Sequence, residues 1–185
     1  LFSFFLIVLG ICVLKVIIVF LPALRAVWST RLIAGSHGLG VDGKKKEDSM
    51  KRKATYRLMV TRREMLYVHD EFDHSLMLVE MEGEPIEYQV GIAGPFVSRR
   101  SVTFHDRARG AGSMKGYAIT NFEEGSICSV YEGTRDQATK LTNGTWKIYK
   151  GMGKLKTIKG GGKFTVKTGE RDREYILDMD GEYEL

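Results

Sequence analysis

EYILDMDGEYEL, residues 174–185, sets Tyr175, Leu177, Met179, Tyr183 and Leu185 at alternate positions with Gly181 among them, and Glu174, Asp178, Asp180, Glu182 and Glu184 between. Successive side chains of an extended chain point to opposite faces, so this stretch predicts a strand with one buried and one wet face. The same rhythm predicts strands at 55–61, 65–68, 75–81, 97–104, 114–120, 127–132, 145–149 and 163–168, with breaks at 83–85, 91–95, 109–112, 123–125, 142–144, 160–162 and 169–172. Short strands separated by Gly, Pro, Asn and Asp clusters indicate an antiparallel sandwich or barrel. No stretch beyond residue 54 carries a helical period, so residues 54–185 are expected to be almost all β. Asn143-Gly144 favours a type I′ hairpin turn. With Thr145 it also spells a glycosylation acceptor, a reading set aside because the predicted cytoplasmic side does not meet that machinery.

Working toward the N-terminus, residues 1–24 contain one charged side chain, Lys15. As a helix this run is about 36 Å long at roughly 1.5 Å per residue, enough to cross a hydrocarbon core about 30 Å thick. Lys15 costs on the order of 3 kcal/mol if left mid-span, which favours snorkelling toward the headgroups over pairing with a partner helix. A cleaved signal peptide would have a shorter apolar region preceded by positive charge; here the positive charges follow. Trp28, with Arg25 and Arg31, suits the membrane interface, giving a transmembrane helix with an interfacial extension over 1–34. Residues 35–53 read as a basic, glycine-containing linker in which Lys44, Lys45 and Lys46 would meet anionic lipid headgroups. The positive-inside rule then puts the C-terminal domain on the cytoplasmic side, or its organellar equivalent.

The net charge of +5 is concentrated in that segment, where eight basic residues between Arg25 and Lys53 face three acidic ones. Residues 54–185 are close to neutral, so the charge pattern argues for a membrane surface and against nucleic acid. Cys12 and Cys128 fall in different regions, so no disulfide framework is expected.

The stretch GTWKIYKGMGKLKTIKGGGKF, residues 144–164, runs a strand into Gly151-x-Gly153-Lys154-Leu155, then Ile158, then Gly160-x-Gly162 and the aromatic Phe164. It resembles the strand-glycine signature of allene oxide cyclase-like and dirigent-like small barrels. That resemblance implies an eight-stranded antiparallel barrel with a small internal cavity. The cyclising or radical-steering residues of those families have no residue-by-residue match in this chain.

The remaining candidate residues each have a plain structural alternative. HDEFDH, residues 69–74, with His105 and Asp106, could suggest a metal site, but an extended chain would split the ligands between two faces, and a polar turn is expected. The glycines at 151–162 lack the spacing, the Ser or Thr and the helix of a phosphate-binding loop. Arg99, Arg100, Arg107 and Arg109 are read as exposed strand-end arginines, useful at most for docking a partner. Cys128 has no assignable base and is expected to be buried. Tyr117, Tyr131, Trp146 and Tyr175 are the candidate lining of an apolar pocket, with barrel filling as their ordinary role. No catalytic residues, cofactor or metal are expected. The leading expectation is a non-enzymatic accessory subunit that meets other subunits of a membrane complex through its helix and barrel. The alternative is a membrane-tethered binding protein or cyclase for an apolar ligand.

Overall fold

The computed structural model describes residues 50–185. The expected membrane helix, most of the linker, and Lys15, Arg25, Trp28, Arg31, Lys44, Lys45 and Lys46 lie outside the described residues. Among the described residues, no helix is long and apolar enough to cross a membrane.

Eight antiparallel strands close into a barrel: β1 (Met50–Tyr67), β2 (His74–Tyr88), β3 (Phe96–Ala108), β4 (Ala111–Phe122), β5 (Gly125–Arg135), β6 (Thr142–Gly153), β7 (Lys159–Thr168) and β8 (Glu174–Glu184). Each strand pairs with its neighbours in sequence, and β1 pairs with β8 to complete the ring. A closed barrel leaves no edge strand to template aggregation.

Several local expectations are corrected. The stretches 55–61 and 65–68 belong to one strand, because a register shift between Val60 and Arg62 absorbs the polar Thr61 and lets β1 continue along β2. β1 also begins at Met50, so Lys51, Arg52 and Lys53, read as linker, pair with β8. The break at 83–85 lies inside β2. Pro85 pairs with Tyr56 beside a second register shift and lies beyond the last β3 pair at Gly83, so β3 asks no ladder bond of it.

The Asn143-Gly144 hairpin is not formed: these residues lie within β6, paired with Gly133 and Thr134 on one side and Phe164 and Thr165 on the other. A Cβ on Gly144 would lie 2.1 Å from the Glu132 carbonyl oxygen and 2.5 Å from the Phe164 ring, so close packing explains this glycine. The turn falls instead at residues 136–141, where the Asp136 carboxylate accepts from the Thr139 backbone N–H at 2.8 Å and its hydroxyl at 2.7 Å. Glycines 160–162, also read as a break, are strand residues of β7. Gly181 opposite them leaves room for Trp146, whose ring would be 2.4 Å from a Cβ there.

One end of the barrel is plugged. Tyr56, Tyr88, Phe96 and Phe122 pack with ring centroids 5.8 to 6.5 Å apart, and Leu155 and Ile158 fold in from the β6–β7 turn. Leu155 is 1% exposed. In the last strand Tyr175, Leu177, Met179 and Tyr183 turn inward as expected, but Leu185 lies beyond the strand at 46% exposed, and Glu174 is buried and not on a wet face. Its Oε2 accepts from the backbone N–H groups of Arg171 (2.9 Å) and Glu170 (3.0 Å), and its Oε1 is paired with Arg57 Nε at 2.8 Å. Those partners, led by the Arg171 N–H, hold its carboxyl below the usual range.

Candidate ligand-binding cavity

β3 alternates in the opposite sense from a core strand. Arg99, Ser101, Thr103 and His105 are buried inside the barrel, while Val102 and Phe104 point outward and are 42% and 45% exposed. The small inward residues of β4, Gly116 and Ala118, leave room beside them. A Cβ on Gly116 would lie 2.5 Å from the Tyr131 hydroxyl, and that hydroxyl hydrogen-bonds Thr103 Oγ1 at 2.6 Å. Burial raises the Tyr131 pKa, so it remains a neutral phenol.

This inversion leaves a cavity of about 120 Å³ within the barrel. Its apolar wall includes Leu58, Val79, Trp146, Phe164, Leu177 and Met179. Toward the end opposite the plug, its mouth is bounded by Arg63, Arg107, Arg135 and Tyr175. Arg99 lies deeper, its Nη1 donating to Thr120 Oγ1 at 2.7 Å and its guanidinium 5.1 Å from the Tyr56 ring centre. The Nε groups of Arg99 and Arg107 and the Trp146 indole N–H are buried without a hydrogen-bond partner.

His105 shares this interior. Burial first, then Arg107, Arg63 and Arg135, lowers its pKa to about 4, so the ring is neutral at pH 7. Its Nδ1 lies 3.3 Å from Arg107 Nη2. A guanidinium can only donate, so Nδ1 accepts and the ring proton sits on Nε2. Burial and Arg135 in turn lower the Arg107 pKa.

Of the four aromatic residues expected at a pocket, Tyr131, Trp146 and Tyr175 line the cavity. Tyr117 does not: strand alternation turns it outward, where it is 54% exposed and packs edge-on against Tyr149 at 6.1 Å. Arg99 and Arg107, read as exposed, face inward for the same reason, whereas Arg100 is outside and reaches Glu82 at 2.9 Å. The signal for the inward arginines was the alternation Arg99-x-Ser101-x-Thr103-x-His105-x-Arg107, which marks one polar face without saying which side it takes.

HDEFDH forms a polar turn between β1 and β2. Asp70 and Asp73 adopt positive φ and curl the segment, so His74 contacts Glu71 through Nδ1 and Asp106 of β3 through Nε2, the latter at 2.7 Å. These carboxylates, Glu71 first, raise the His74 pKa. Among the described residues, no group of three or more His, Cys, Asp or Glu side chains is placed to hold a metal ion. Cys128 is a buried free thiol. Compared with known proteins, the chain matches no family model and no curated protein.

Proposed function

We propose that this chain is a membrane-tethered binding protein whose barrel holds a small apolar ligand. The observation that supports the reading is the interior: a preformed cavity with an apolar wall and polar groups along its other side, among them an indole N–H and two guanidinium N–H groups with no internal partner. Buried donors of this kind cost stability when unpaired, and a ligand acceptor relieves the cost. The tether is the reading of residues 1–34. The likeness of residues 144–164 to allene oxide cyclase-like and dirigent-like barrels is proposed as a kinship of fold, since fold alone does not transfer chemistry.

Native mass spectrometry of the full chain, extracted in mild detergent, tests this reading. A small-molecule adduct is expected on the wild-type protein and is expected to be lost from Ser129→Leu, which fills the cavity from β5. Adduct-free spectra for both proteins would count against it.

A second reading, an accessory subunit docked to a larger membrane complex, is favoured by one observation on the outer face. Leu78, Val102, Phe104, Tyr117 and Tyr149 form a continuous exposed apolar patch across β2, β3, β4 and β6.

A further inference from the structure

The cavity holds more positive charge than its fold uses. Arg63, Arg99, Arg107 and Arg135 line it, and among the described residues no Asp or Glu does. Elsewhere in the barrel buried charge is matched, as Glu174 is by Arg57 and two backbone N–H groups. Arg99 is buried, Arg107 and Arg135 are half-buried and Arg63 is exposed, so the charge runs from the interior out to the mouth, and a cation drawn from water without a counter-charge is costly to keep. The polar groups that lack partners here, Arg99 Nε, Arg107 Nε and Trp146 Nε1, are all donors. His105 adds a further donor, because its Nδ1 is turned to Arg107. Donors and cations without an acceptor complement an anion, and guanidinium groups suit a planar carboxylate.

Size limits what can carry that anion. An apolar cavity of about 150 Å³ takes a benzene ring. At about 120 Å³, open toward the arginines, this one admits a body of about one ring. A long acyl chain does not fit.

We infer that the cavity binds a compact apolar carboxylate, its carboxylate held by Arg63, Arg107 and Arg135 at the mouth and its apolar body set against Trp146, Phe164 and Leu177. This rests on the ligand-binding reading above and adds the ligand's charge and size.

Titration calorimetry of the full chain in a non-ionic detergent at pH 7, with sodium benzoate, benzyl alcohol and sodium sulfate in turn, tests it. Benzoate is expected to bind about tenfold or more tightly than either of the others, since charge-assisted bonds and ring burial both contribute only for benzoate. Arg107→Met is expected to weaken benzoate by about tenfold or more, to leave benzyl alcohol unchanged, and to raise the thermal midpoint of the ligand-free protein by removing a half-buried cation that has no counter-charge. Arg135→Gln at the rim is a second variant with the same effect on benzoate. Equal binding of benzyl alcohol and benzoate would overturn the carboxylate while leaving the apolar pocket standing. Equal binding of sulfate and benzoate would overturn the apolar body. If neither organic ligand binds, this inference falls, while the ligand-binding reading stands or falls on the adduct measured by mass spectrometry.

Discussion

His105 and His74 titrate in opposite senses because one is buried among cations and the other is bracketed by carboxylates. With its pKa lowered to about 4, His105 stays neutral in the folded state while the unfolded chain takes up a proton near pH 6.5. Its contribution is therefore complete above pH 6.5 and is lost as pH falls toward 4, on the order of 3 kcal/mol at roughly 1.4 kcal/mol per unit. His74 has a raised pKa, so its contribution is complete below about pH 6.5 and disappears as pH rises through the raised value. Urea midpoints across pH 4 to 8 check both, at roughly even pH steps. His105→Gln is expected to flatten the acid-side decline, whereas His74→Gln is expected to show its deficit at acid pH and to approach wild type as pH rises through the raised His74 pKa. A His74 deficit that grows with pH would show that its contacts to Glu71 and Asp106 do not act as charged pairs.

At the scale of single elements, β3 and the β6–β7 turn carry most of what distinguishes this barrel. Strand existence was legible because period-two alternation is a property of the chain alone, and β8 shows it plainly. Which face turns inward is not a property of one strand. In β3 the side with Arg99, Ser101, Thr103, His105 and Arg107 lies inside because Gly116 and Ala118 across the ladder leave space for it. The same limit explains Tyr117, whose aromatic ring suggested burial although its strand position turned it out. Asn143-Gly144 misled for a related reason: the dipeptide fits a turn, but Phe164 from the next strand needs the space that only glycine leaves. Local preference yielded to packing. Within the β6–β7 turn, Leu155 is the buried anchor of the plug. Leu155→Ala is expected to cost about 2–5 kcal/mol in denaturant unfolding, and a loss below about 1 kcal/mol would mean the plug re-forms without it.

On the scale of the whole molecule, the inversion of β3 has two faces. Its inward side supplies Arg99 and Arg107, two of the four arginines of the cavity, and its outward side supplies Val102 and Phe104 to the exposed apolar patch. The two functional readings can be separated by acting on one side at a time. Changing Phe104 and Tyr117 together to Ser is expected to leave the fold intact, since both side chains are largely exposed. If the patch docks the barrel to a complex, the double variant comes through mild-detergent pull-down without the subunits that wild type retains in fixed ratio. Unchanged recovery would remove the patch from the account. The closed ring also has a temporal consequence. Seven of the eight ladders join consecutive strands, but the closing seam joins β1 to β8, with Thr55 bonded to Asp178 123 residues away. β8 brings Leu177 and Met179 to the cavity wall and Glu174 to the seam. A nascent chain therefore has hairpins but no vessel until β8 has left the ribosome, and the cavity wall is complete only once that strand has reached back to β1.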